Sequence, residues 1–125
     1  NCDKLKIDFD MLNNIDIHLH VPEGAVKKEG PSAGIAITTA LISALKNKQI
    51  SSYLALTGEI TLRGNILPVG KVKEKIIGAS NNNIKKVILP KENEKDVEVL
   101  DEVIKKNIKF VYVSNYEEVL KEIKL

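Results

Sequence analysis

Ser32, set in Gly30-Pro31-Ser32-Ala33-Gly34, and Lys75, set in Val72-Lys73-Glu74-Lys75-Ile76, are side chains whose types fit covalent chemistry. A serine hydroxyl is a weak nucleophile at neutral pH, so another group must take its proton as it attacks. A neutral lysine can be that base where its surroundings depress its pKa toward neutrality. Together the two would form a Ser-Lys dyad for acyl transfer through a covalent intermediate.

Each residue also has a plainer reading. Ser32 stands where a Gly-Pro loop becomes a helix rich in small residues. Serine is a preferred N-cap there, and caps far outnumber nucleophiles. The same place offers unpaired N–H groups and the positive end of a helix dipole, the donors a developing oxyanion needs. Ala33 and Gly34 are small enough to let a substrate backbone come close. Lys75 shares its helix with Lys71 and Lys73. On a wheel of about 100° per residue, Val72, Ile76 and Ala79 make an apolar stripe, and Lys75 lies about 65° from its centre. Lys73 lies about 95° away and Lys71 more than about 100°. Lys75 therefore borders the buried face, where desolvation lowers a lysine pKa. All three also fit solvated lysines with their stems along apolar surface.

Other polar residues offer less. His18 and His20 share one face of an alternating segment, so a triad of serine, histidine and acid with Asp16 or Glu29 is a rival arrangement. A metal site wants three or four ligands, and no third is spaced for one. Structural hydrogen bonding is the expected role of both histidines. Thr57 closes an apolar strand just before Gly58, where its hydroxyl could orient a lysine amine or satisfy the backbone. Neither glycine-bearing stretch has P-loop or dinucleotide spacing, so no cofactor or metal is expected here.

These side chains need a scaffold, and the pattern supplies one. Residues 1–14 are polar without sustained period and read as a lead-in from a longer chain. Ile15, Ile17, Leu19 and Val21 alternate as a half-buried strand, stopped by Pro22-Glu23-Gly24. Ser32 to Leu45 predicts a helix. Tyr53 to Ile60 and Asn65 to Val69 predict two strands around a Leu62–Asn65 turn. A helix from about Lys71 to Asn81 and a strand from Lys86 to Leu89 follow. Then come a charged helical stretch from Glu94 to Lys106, a strand over Ile108–Val113 and a last helix over Tyr116–Lys124. Alternating strands and helices give an α+β (mixed α/β) domain, single and compact, with helices packed on a mixed sheet.

Composition excludes several function classes. The core must be aliphatic, because 43% of residues are hydrophobic but only 4% aromatic. Nineteen basic residues against 17 acidic leave a net charge of +2, too even for the one-sided field of specific nucleic-acid binding. No apolar run approaches the roughly 20 residues that span a bilayer, so no membrane partner is expected. Cys2 is the one cysteine, so no internal disulfide can form.

The blocks His18-Leu19-His20-Val21-Pro22-Glu23-Gly24-Ala25, Glu29-Gly30-Pro31-Ser32-Ala33-Gly34, Thr57-Gly58-Glu59-Ile60-Thr61-Leu62-Arg63-Gly64 and Leu67-Pro68-Val69-Gly70 through Lys73-Glu74-Lys75 occur in one order. In that order they resemble the proteolytic domain of Lon, the ATP-dependent protease, in its bacterial and mitochondrial branch. The resemblance runs from about Asp16 to the C-terminus. It implies the Lon proteolytic-domain fold over residues 15–125, partial and without its first strands. It also implies that Ser32 is the nucleophile of a serine endopeptidase and Lys75 its general base. Thr57 would hydrogen-bond the lysine, and Glu29 would fill an acidic position that the family more often gives to aspartate. The resemblance further implies a parent protein that is a homohexamer, with an AAA+ module using ATP and Mg to feed in unfolded or damaged proteins. Its place would be the mitochondrial matrix of a eukaryote or the cytoplasm of a bacterium. A rival reading is a ring-assembly piece of the same fold that is inactive as an isolated chain.

Overall fold

Val87-Ile88-Leu89 runs without a polar break, the pattern of a strand covered on both faces. It forms the middle of the main sheet in the computed structural model, which describes residues 2–20 and 31–125. The chain divides into two units, Asn1–Gly30 and Pro31–Leu125.

The first unit contains two short helices, α1 (Cys2–Leu5) and α2 (Phe9–Asn13). Asp8 caps α2, its Oδ1 accepting the Asp10 N–H at 2.9 Å. Residues 15–20 form no strand, and Ile17 and Leu19 stand 56% and 58% exposed. This corrects the expected strand from Ile15, whose last residue, Val21, lies outside the described residues. Alternation gives a segment two faces, but a strand also needs a partner edge to take its hydrogen bonds.

The second unit begins with α3 (Gly34–Lys46), β1 (Leu54–Leu56), β2 (Glu59–Ile60), β3 (Ile66–Leu67) and α4 (Val72–Asn81). After β4 (Lys86–Pro90) come a 3-10 turn over Lys91–Asn93, α5 (Glu94–Glu98), α6 (Glu102–Lys105), β5 (Lys109–Val113) and α7 (Tyr116–Ile123). The main sheet has the order β1-β4-β5, all parallel, with Ala55 beside Val87 and Val87 beside Phe110. Parallel neighbours need crossovers, and α4 and the α5–α6 pair supply them. β2 and β3 make a separate antiparallel hairpin with Ile60 opposite Ile66. The fold is α+β, as expected, with parallel and antiparallel pairing in two sheets.

Alternation along β4 sends Val87 and Leu89 to one face and Ile88 to the other. On the first face they join Val72, Ile76 and Ala79 of α4 and Val97 and Leu100 beyond it in one buried cluster. Burying a side chain such as Ile76 contributes about 1.5–3 kcal/mol. α3 lies against β1 and α7 against β5. Ile35, Thr39 and Val119 of these two helices are fully buried.

Two expected elements are interrupted. The helical stretch after Glu94 breaks at Val99–Asp101, which turns Leu100 into the core and leaves Val99 82% exposed. The strand expected over Tyr53–Ile60 breaks at Thr57–Gly58. That second break makes the site.

Candidate active site

Ser32 stands in a turn just ahead of α3, closed by the Gly34 N–H donating to the Pro31 carbonyl at 3.1 Å. The residue that caps α3 is Ala33, with φ −86° and ψ −5°, and no side chain caps the helix. This displaces the N-cap reading of Ser32, because the helix starts two residues later than the pattern predicts. The reason lies in the backbone. The Ser32 carbonyl takes the Gly58 N–H at 3.0 Å, and the Gly58 carbonyl takes the Ile35 N–H at 3.2 Å. Gly58 has left its strand to pair with the front of α3 from both sides.

That approach is tight for any residue larger than glycine. A Cβ at Gly58 would lie 3.1 Å from Ile66 Cγ2 and 3.3 Å from Ile35 Cγ2. The residue before it stays in register with the sheet, the Thr57 N–H donating to the Ile88 carbonyl at 3.0 Å. Its side chain is therefore fixed at the end of β1.

Lys75 reaches that side chain from α4, with Nζ 3.3 Å from Thr57 Oγ1. Lys75 is partly buried, while Lys71 and Lys73 are exposed, the order the helix wheel predicts. Burial of the amine pulls the Lys75 pKa below the ordinary lysine value, and the Lys71 charge one turn earlier adds to the pull. Lys71 itself is held in the left-handed region at φ 55°, as the N-cap of α4.

Ser32, Thr57 and Lys75 line one cleft of about 420 Å³. Ala33 and Ala36 border it, and Ile76, Val87 and Leu89 give it an apolar lining. Such a lining keeps a lysine amine poorly solvated, which favours the neutral base. A larger cavity of about 490 Å³ opens beside the start of α4, among Lys71, Glu74, Asp96 and Asp101. Among the described residues that line it there is no serine, threonine or histidine.

Of the other expected site residues, Gly34 opens α3, and a Cβ there would sit 3.2 Å from Ile60 Cγ2. Glu29 lies outside the described residues. The His18 and His20 rings stack on each other, centroids 6.3 Å apart and planes at 17°. Among the described residues no group of three or more His, Cys, Asp or Glu is placed to hold a metal ion.

Sequence reasoning passed over Asn93, which is buried and bonded to the backbone of Val69 ahead of α4. It also left Lys71 as a plain surface lysine. Its place four residues before Lys75 on one helix is the signal that could have found it.

A family model described as the Lon protease (S16) C-terminal proteolytic domain matches residues 1–125. A Lon protease of Porphyromonas gingivalis is 52% identical over 120 residues, covering 96% of this chain and 14% of the relative. A Lon protease of Fervidobacterium nodosum is 57% identical over 105 residues, 84% of this chain and 13% of the relative. A protein named Lon protease 2 from Borreliella burgdorferi is 54% identical over 114 residues, 91% of this chain and 14% of the relative. The chain thus spans 13% to 14% of the length of these curated relatives.

Proposed function

This chain belongs to the family of Lon C-terminal proteolytic domains, and we propose that it cleaves peptide bonds as a serine endopeptidase through Ser32 and Lys75. The observation that carries the reading is the shared cleft. It holds a serine relieved of capping duty and a lysine whose pKa burial lowers.

Neutral Lys75 takes the Ser32 Oγ proton as Oγ attacks the peptide carbonyl carbon. Thr57 holds the amine in place. The Ala33 N–H, just ahead of α3, would serve as a donor to the developing oxyanion. The C–N bond then breaks, and the Lys75 ammonium returns its proton to the leaving amine. Lys75 next deprotonates a water, which attacks the acyl-enzyme and frees Ser32. Glu29 would fill the acidic position that the family resemblance implies three residues before Ser32.

The family resemblance implies the setting. Within a Lon-type parent, this domain works in a homohexameric ring on unfolded or damaged proteins, with ATP and Mg consumed by an AAA+ module elsewhere in the polypeptide. The three relatives above come from bacteria, which favours a bacterial cytoplasm over a mitochondrial matrix.

The test is peptide hydrolysis by the intact polypeptide carrying Ser32→Ala or Lys75→Met. Each substitution should remove at least about a thousandfold of kcat, the scale of losing a member of a catalytic set. Substantial hydrolysis by either variant sinks the dyad.

A further inference from the structure

Asn93 is polar, only 3% exposed, and unused by the dyad. Its amide lies along the backbone of Val69. Oδ1 accepts the Val69 N–H at 2.9 Å, and Nδ2 donates to the Val69 carbonyl at 2.9 Å. Nδ2 also donates to Asp96 Oδ2 at 2.8 Å, which fixes the amide plane. The side chain thus pairs with Val69 much as a neighbouring strand would.

Val69 lies between β3 and α4, and the three residues after it set the position of the lysine. After Gly70 comes Lys71, whose left-handed backbone is unfavourable for a non-glycine residue and persists only where the surroundings impose it. Val72 then opens α4, and Lys75 lies one turn on, its N–H bonded to the Lys71 carbonyl at 3.2 Å. The helix itself is seated by Val72, Ile76 and Ala79, all apolar. Apolar contacts are non-directional and leave a helix free to slide or turn by a fraction of an ångström. Hydrogen bonds are directional, and the Asn93 amide supplies two of them at the start of this helix.

We propose that Asn93 is a positioning residue for the dyad. By pinning Val69 it sets the start and register of α4, and so the depth at which Lys75 meets Thr57 in the cleft that Ser32 also lines. The inference rests on the Ser32–Lys75 reading above.

The experiment monitors Ser32 acylation in the intact polypeptide with a peptide p-nitrophenyl ester. The Ser32 Oγ–C bond forms, p-nitrophenolate leaves, and the burst is recorded against pH. Asn93→Ala should slow the burst about 10- to 100-fold, the scale of misplacing a catalytic group by about an ångström. Half-saturation by the ester should stay the same. The pH inflection should move to higher pH as the amine loses its burial. Asn93→Asp keeps the shape and one acceptor but loses both donors, and it should show the same two changes. It carries the test if Asn93→Ala does not fold. A folded variant with the native burst rate and inflection overturns the proposal. So does a slower burst at an unmoved inflection, which marks a structural role alone. Lys75→Met beside native Asn93 separates the two ideas. Loss of its burst upholds the dyad whatever Asn93 does, and survival of that burst removes the dyad and the inference together.

Discussion

The starts of α3 and α4 carry the two halves of the proposed dyad, yet they are held by different means. The front of α3 is tied backbone to backbone, through Gly58 bonded to Ser32 on one side and to Ile35 on the other. The approach to α4 is tied by a side chain, the Asn93 amide bonded to both polar groups of Val69. A backbone tie demands the absence of a side chain, and a side-chain tie demands one particular amide. On the proposed dyad, the mount of the serine rests on a glycine and that of the lysine on an asparagine.

The sharpest way to break the first mount is Gly58→Ala. The new methyl would press on Ile66 and Ile35, both buried, which would have to give by a few tenths of an ångström. Overpacking of this kind costs about 1–3 kcal/mol. Displacing Ser32 should also lower kcat at least about tenfold, given the sensitivity of catalysis to ångström shifts. Thermal unfolding and single-turnover acylation check the two effects separately. Native kinetics in a destabilised Gly58→Ala protein would show that the glycine serves stability alone.

A milder change probes the second mount. Lys71→Met removes a positive charge that helps hold the Lys75 pKa down. The general base works when neutral, so activity rises with pH through the Lys75 pKa. Without Lys71 that pKa rises, and the acid limb of kcat/KM moves to higher pH. Activity falls at neutral pH and recovers in alkaline buffer. An unmoved limb would remove Lys71 from the site.

Gly34→Ala should do least. Its new Cβ meets one side-chain atom, Ile60 Cγ2 at 3.2 Å, on a partly buried residue that can shift. Alanine also gains up to about 1 kcal/mol of helix propensity over glycine. The two terms nearly cancel, and the unfolding midpoint should change by only a few degrees. A loss as large as that of Gly58→Ala would mean that both glycines serve the same close approach.

Much of this was legible in the sequence, for reasons that differ by residue. The stripe of Val72, Ile76 and Ala79 separated Lys75 from Lys71 and Lys73, because helical periodicity decides burial before any tertiary contact is known. β4 was legible as an unbroken apolar run. Ser32 as an N-cap misled, because capping rules assume the serine carbonyl enters the helix, whereas here it pairs with Gly58. Residues 15–20 misled because alternation is a property of a segment and pairing a property of two. Asn93 left no local signal, since a buried amide is recognised by its partner and Val69 lies 24 residues away.

That distance has a kinetic meaning. The Lys75–Thr57 bond closes a loop of 18 residues and the Asn93–Val69 bond one of 24. Thr57 in turn is fixed by β4, which pairs in parallel with β1 across the intervening α4. Contacts that join distant segments come late in folding, because the entropy of closing each loop opposes them first. Helices α3 and α4 could each be complete in a nascent or partly unfolded chain with the serine and the lysine still apart. On the proposed dyad, a centre assembled this way would stay silent until the domain is finished.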